Sequence, residues 1–325
     1  MIFAAVALLG CENEHPGGPL HKQDNAIAFG QVATRADLSD IQNGGFGVWA
    51  TFSNSEQTNY PLMENTHVTY ESGAWEYDDT KYWIDNTVFN FVAAYPYDEA
   101  GNIFTFANNA VSLSVSETPS TEDYLLATAT VDTSAEGFDP GNAVELKFGH
   151  LLTNVNLQIW RDGGKHQNDD MRIKKVTLSN IRKGGTYSSS TNTWAPTGEK
   201  LTLEYVNDNL SDDDNIGAAI VNENGSLIPG GTSSNPFGEM LLLPQTIGSS
   251  NNVSLKIEYE LKRQNAADWE TAELETKLPN ITWNVGTKYT YNVVLSSVTD
   301  ITVYYIQTKV DPWGTPQVGG TVIIK

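Results

Sequence analysis

The sequence predicts an all-β protein, and three observations carry that reading. From Ala26 onward the apolar residues recur at every second position, the period of a half-buried strand. Beyond the 39% of hydrophobic residues the chain is rich in Asn, Ser, Thr and Gly, with only 18% charged residues. That mixture fills turns and solvent-facing sheet positions and makes poor helix surfaces. No stretch of ten residues or more shows a convincing helical period, although residues 120–129 are compatible with one short turn.

The strands follow in order. Ile27 and Phe29 alternate with small residues in AIAFGQVATR. Phe46, Val48, Ala50 and Phe52 share one face of GFGVWATF, and Phe89, Phe91, Ala93 and Tyr95 do so in VFNFVAAYPY. Val155, Leu157 and Ile159 repeat the pattern in TNVNLQIW. The longest clean run is Val253, Leu255, Ile257, Tyr259 and Leu261. Each segment is short and bounded by Gly, Asn, Asp or Pro, which predicts sandwich strands. A chain of 325 residues is comfortable for two β domains. The boundary is expected near residues 149–152, giving domains 24–150 and 151–325. The polar, Gly- and Asn-rich inserts 188–197 and 207–234 are expected as exposed loops. No fixed-period repeat marks a solenoid or propeller.

The N-terminus carries a different signal. Residues 1–10, MIFAAVALLG, form an apolar run too short to span a bilayer but matched to the core of a secretory signal. The run ends at Cys11, the single cysteine, so no internal disulfide can form. Leu8-Leu9-Gly10-Cys11 resembles a bacterial lipobox, in which the thiol is acylated and becomes the mature N-terminus. Residues 1–11 are therefore expected as a lipoprotein signal segment and residues 12–23 as a flexible tether. No Lys or Arg precedes the apolar run, so the start of translation is expected upstream of Met1.

Charge and motif content narrow the function. A net charge of −21 repels a phosphate backbone, so nucleic acid is not an expected partner. The five histidines are dispersed, and none has zincin spacing. The acidic run Asp212, Asp213, Asp214 lacks the alternating ligands, glycine turn and downstream carboxylate of a calcium loop, and reads as a solvated loop. No nucleophile elbow, P-loop or dinucleotide fingerprint appears. The expectation is a chain without cofactor, metal or catalytic residues. Trp75, Tyr77, Tyr82 and Trp83 read first as core plugs and cross-strand pairs, and secondarily as a sugar-stacking platform.

Two strand-like segments stand out by position. The first ends at Arg35, followed by Ala36 and the polar ADLSD. The second is the tail, where Asp311-Pro312-Trp313-Gly314 breaks a strand, Gly319-Gly320 forms a joint and TVIIK closes the chain. A terminal apolar strand behind a hinge can pair at home or complete a neighbour's sheet.

The lipobox cysteine, the IxF strand ending in TRA, GFGVWATF, VTYESGAWEYDDTKYW running into VFNFVAAYPY, FGHLLTNVNLQI and LPNITWNVGTKYTYNVVL occur in that order. Together they resemble the fimbrillin family, subunits of type V pili of Gram-negative anaerobes. The resemblance implies two transthyretin-like β-sandwich domains in tandem and export as an outer-membrane lipoprotein acylated at Cys11. It further implies proteolysis between Arg35 and Ala36, which removes the first strand with its lipid. The groove left behind would be filled by a C-terminal donor strand of the next subunit, here Thr321, Val322, Ile323 and Ile324. The expected partners are other pilus subunits and a host or bacterial surface ligand, with membrane contact through the lipid before processing. The alternative reading is a monomeric outer-membrane lipoprotein that binds glycan or a host ligand through loops of the second domain. A surface hydrolase is the remaining one, without positive support.

Overall fold

The computed structural model describes residues 25–30, 33–34, 38–221, 227–248, 251–296 and 301–309. The architecture is all-β. Short β1 (Ala33–Thr34) precedes the seven-residue helix α1 (Leu38–Gly44). Then come β2 (Phe46–Ser53), β3 (Tyr60–Glu71), β4 (Ala74–Glu76), β5 (Val88–Tyr95), β6 (Phe104–Ala107), β7 (Ala110–Val115), β8 (Leu125–Asp132) and β9 (Lys147–His150). Seven of these form one sheet in the order β1-β9-β8-β5-β2-β3-β4. The helix stands where the sequence reads as a polar turn, because its Ile41 is fully buried in the adjoining core. Gly45 ends it at φ +68°, its N–H bonded to Ile41 O at 2.8 Å. A side chain at Gly45 would meet Val68 O at 2.5 Å, so the turn into β2 requires glycine.

Alternation in β2 and β5 divides residues between two cores. Phe46, Val48, Ala50 and Phe52 point with Phe89, Phe91 and Ala93 into a cluster that also holds Ile27 and Phe29. Trp49 and Ala94 point to the opposite face, against Phe104, Val111 and Leu113 of the β6–β7 hairpin. Trp49 stacks on Phe106 with ring centroids 6.0 Å apart. A strand buried on both faces explains why only one of its two apolar rows was evident from alternation.

The rest of the chain continues with β10 (Thr153–Asp162), β11 (Asp170–Arg182), β12 (Gly185–Ser188), β13 (Thr193–Pro196) and β14 (Lys200–Val206). A 3₁₀ turn at Asp212–Asp214 leads to β15 (Ala218–Val221), β16 (Leu227–Gly230), β17 (Glu239–Leu242) and β18 (Gln245–Ile247). The last strands are β19 (Ser254–Lys262), β20 (Glu270–Lys277), β21 (Ile281–Trp283), β22 (Thr287–Leu295) and β23 (Ile301–Lys309). One sheet runs β16-β15-β10-β22-β23, with β17 also paired to β10, and it faces a second sheet, β14-β11-β19-β20. Val155, Leu157 and Ile159 of β10 meet Tyr289, Tyr291 and Val293 of β22 in the core between them. Ile173 and Val176 of β11 and Leu255, Ile257 and Tyr259 of β19 close it from the other side.

The inserts differ from expectation. Residues 188–197 contain β13, whose backbone pairs with β12, and β12 pairs in turn with β7. The resulting sheet β13-β12-β7-β6 joins segments from before and after residue 150. Residues 207–234 contain the 3₁₀ turn and the β15–β16 hairpin, anchored by Ala219, which is 1% exposed. Their polar side chains face water, but their backbone groups find partners in a ladder, which composition does not reveal. Residues 120–129 hold the start of β8 and no helical turn, with Leu125 and Ala127 alternating into the core.

Trp283 is fully buried, and its indole N–H donates to Tyr291 Oη at 2.8 Å. Trp283→Ala is expected to lower stability by about 3–5 kcal/mol. Tyr291→Phe, which strands the indole N–H, is expected to cost about 1–3 kcal/mol. Urea unfolding midpoints with unchanged slope check both.

Candidate functional site

The site begins with residues 25–30 and β1, the segment that sequence reading singles out as an IxF strand. It is held at two separate edges. Residues 25–27 run antiparallel to residues 81–83: Ile27 N–H donates to Lys81 O at 2.8 Å, and Trp83 N–H donates to Asn25 O at 3.1 Å. The chain then crosses to the other edge. Val144 N–H donates to Ala28 O at 2.7 Å and Gly30 N–H to Val144 O at 2.9 Å, in a parallel bridge of Phe29 with Val144. β1 continues it, parallel to β9 with Ala33 opposite Lys147 and Thr34 opposite Phe148. β1 is thus the outermost strand of the seven-stranded sheet, and residues 25–30 reach it through isolated bridges.

Its side chains are inserted, not laid on. Ile27 is fully buried and Phe29 is 5% exposed. Phe29 meets Phe46, Tyr77 and Phe91 edge-on, at centroid separations of 6.2, 5.6 and 6.0 Å. Such T-shaped contacts add to what area burial alone provides. Tyr77 also donates its hydroxyl to Ile27 O at 2.8 Å. Burial pushes the Tyr77 phenol above its usual range, only partly offset by the Lys81 N–H bond, so the group stays a neutral donor. Trp83 closes the floor, packing edge-on against Phe89, Phe91 and Phe138. The aromatic run read as core plugs or a sugar platform therefore divides. Trp75 and Trp83 are core residues, Tyr77 holds the first segment, and Tyr82 is 43% exposed.

If the first segment leaves, it uncovers two pockets spaced at i and i+2, and two strand edges. The N–H groups of Trp83 and Val144 lose their acceptors on Asn25 and Ala28. That is a groove shaped for an extended apolar strand. Sequence reading singled out this segment as a strand but not the edges it pairs with, because residues 81–83 and 144–148 carry no local signature of a strand edge.

The other residues singled out by sequence lie elsewhere. Cys11, Arg35, Ala36 and Thr321, Val322, Ile323 and Ile324 lie outside the described residues. In the acidic run, Asp214 accepts from Ser211 N–H and Oγ, and Arg172 approaches Asp212 at 4.0 Å. A cleft lined by Leu62, Glu64, Asp78, Asp79 and Lys81 is shallow, with Asp79 already paired to Lys81. His166 Nδ1 sits 2.8 Å from Asp169 and its Nε2 3.1 Å from Ser296 O, tying the β10–β11 turn to the end of β22.

Comparison with known proteins gives the family and the fold. The chain matches the family described as fimbrillin-like over residues 34–313. It is similar to the fimbrium subunit Fim1C of Phocaeicola vulgatus, with 23% identity and 90% of each chain covered. Its fold is similar to that of a fimbrial protein from Bacteroides vulgatus, with a TM-score of 0.64 at 19% identity, covering 89% of this chain and 100% of the other.

Phe29→Ala removes all three edge-on contacts and is expected to lower stability of the full chain by about 3–5 kcal/mol. The same variant is expected to be cut faster by trypsin between residues 25 and 36. Urea denaturation and timed proteolysis followed by mass analysis check the two effects.

Proposed function

We propose, from the premise that this chain belongs to the fimbrillin-like family, that it is a structural and adhesive subunit of a cell-surface fimbria assembled by strand exchange. In this proposal the chain is exported as an outer-membrane lipoprotein acylated at Cys11. A protease then cuts between Arg35 and Ala36, and the first strand leaves with the lipid. The C-terminal strand of the next subunit, Thr321 to Ile324, takes its place. The chain does no catalysis of its own.

The observation that supports the proposal is the seat of Ile27 and Phe29: one edge segment, continuous with the cleavage position, fills the first core. Val322 and Ile324 have the same i, i+2 spacing as Ile27 and Phe29. Sixteen residues follow Lys309 at the end of β23. Extended, they span at most about 55 Å, enough to reach an adjacent subunit. Because the groove and the donor lie on different parts of one chain, the contact is heterologous, the kind that builds filaments when the rotation between subunits does not close a ring. A subunit that has lost its first strand cannot dissociate without exposing an open apolar groove, so the polymer is kinetically stable.

On intact cells the mature protein is expected to begin at Ala36, without acyl group, and to form multimers that resist detergent. Arg35→Ala is expected to leave acylated monomer beginning at Cys11. Deletion of residues 321–325 is expected to give processed chain without multimers. A mature chain that keeps residues 11–35 and remains monomeric would overturn the strand-exchange reading and favour the ligand-binding lipoprotein.

A further inference from the structure

The second sheet holds a cluster that strand exchange does not use. β10 and β22 run parallel in continuous register from Asn154 opposite Lys288 to Arg161 opposite Leu295. Rung partners of a parallel ladder project to the same face, so the Asn154 carboxamide and the Lys288 amine stand side by side. β17 pairs on the other flank of β10, placing Glu239 opposite Asn156. One carboxylate oxygen of Glu239 accepts from Lys288 Nζ, and the other accepts from Asn154 Nδ2 at 2.9 Å. The carboxylate thus holds amine and carboxamide together. The rung below is fixed as well, Thr153 Oγ1 donating to Thr287 O at 2.8 Å.

Burial of Asn154 sets this cluster apart from a surface ion pair, although the Glu239 side chain itself is open to solvent. Asn154 is 3% exposed, and its Oδ1 is enclosed without a hydrogen-bond donor among the described residues. An enclosed carbonyl oxygen without a donor is costly, and functional strain is one reason a structure keeps one. Rotating the amide about χ2 exchanges its two ends and brings Oδ1 to the position beside Glu239. Partial burial pushes the Glu239 carboxyl up, but the hydrogen bonds from Lys288 and Asn154, with the charge of Lys288, outweigh it, and the group rests below its usual range. Glu239 therefore starts as a carboxylate beside an ammonium.

We infer that Lys288 and Asn154 form an intramolecular isopeptide bond, with Glu239 as the proton-transferring group. Glu239 takes one proton from the Lys288 ammonium. The freed Nζ lone pair attacks Asn154 Cγ, and the protonated Glu239 donates to Oδ1 as the C=O bond becomes single. When the tetrahedral centre collapses, the C=O bond re-forms as the Oδ1 hydroxyl gives its proton back to Glu239. That proton and one released by Nζ pass to Nδ2, the Cγ–Nδ2 bond breaks, and the nitrogen departs as ammonium, leaving Glu239 a carboxylate. Lys–NH₃⁺ and Asn–CONH₂ become Lys–NH–CO–Asn and NH₄⁺, so atoms and charge balance without any added oxidant or co-reactant. The Glu239 side chain is 53% exposed, which gives the ammonium a way out. The reaction turns over once per molecule, so positioning within a fixed ladder supplies the needed rate advantage even if the step is slow. The product locks β10 to β22 and closes residues 154–288 into a covalent ring.

The test is the intact mass and peptide map of the purified, folded full chain, alongside Lys288→Arg, Glu239→Gln and Asn154→Ala. The wild type is expected to be lighter than its sequence by one ammonia, and proteolysis is expected to yield one branched peptide joining the segments around Asn154 and Lys288. Lys288→Arg keeps the ion pair with Glu239 and is expected at full sequence mass, with the two peptides separate. Glu239→Gln and Asn154→Ala are expected to do the same, and circular dichroism establishes that each variant is folded. Wild-type protein in which the two peptides separate would overturn the inference, including the case where ammonia is lost elsewhere as a succinimide.

Discussion

The structure depends on one constraint: a sheet that buries both faces must also have its edge completed. β2 and β5 bury residues on both faces, which commits the seven-stranded sheet to two cores. The larger core is closed by Ile27 and Phe29, from a segment joined to the body by few residues and by backbone bonds at two edges. Apolar burial of this kind contributes about 1.5–3 kcal/mol per large side chain relative to exposure. The same quantity that holds the segment in place makes the vacated groove costly. A chain built this way is stable while the strand is present and demands a substitute once it is gone.

The second half is organised differently. β10 and β22, far apart in sequence, form a parallel ladder at the centre of their sheet, and β23 adds the last strand before the tail. In the proposed fibre, a subunit joined to its neighbours through the first half and through its tail would transmit load across this ladder. Lys288, Glu239 and Asn154 stand at the rung where the ladder begins. Strand exchange between subunits and a covalent rung within one would serve the same end, since both remove a low-energy route to separation.

Much of this was legible in the sequence, where the signal is local. Phe46, Val48, Ala50 and Phe52 alternate, as do Leu255, Ile257, Tyr259 and Leu261, and all lie in cores. The IxF motif was legible as a strand for the same reason. Trp49 was not legible as a second core residue, because its row is broken by Gly47 and Thr51 and its partners come from the β6–β7 hairpin. Helix α1 is too short for a period to show. The sheet shared by β7 and β12 and the Asn154–Lys288 rung depend on pairing between distant segments, and no local pattern carries that information. The edges at residues 81–83 and 144–148 that hold the first segment were missed for that reason too.

The most direct test of the account is a disulfide trap across the groove. Ala143 lines it, its Cβ lying 2.9 Å from where a side chain at Gly30 would begin. With Val322 and Ile324 in the seats of Ile27 and Phe29, Lys325 would take the place of Gly30. A chain beginning at Ala36 would lack Cys11, the natural cysteine, so Ala143→Cys and Lys325→Cys would supply its only thiols. Mild oxidation of multimers of this doubly substituted chain is predicted to give disulfides between subunits, and none in the full-length monomer that retains its first strand. Multimers that assemble without forming the disulfide would contradict the claim that the C-terminal strand occupies the seat of Ile27 and Phe29.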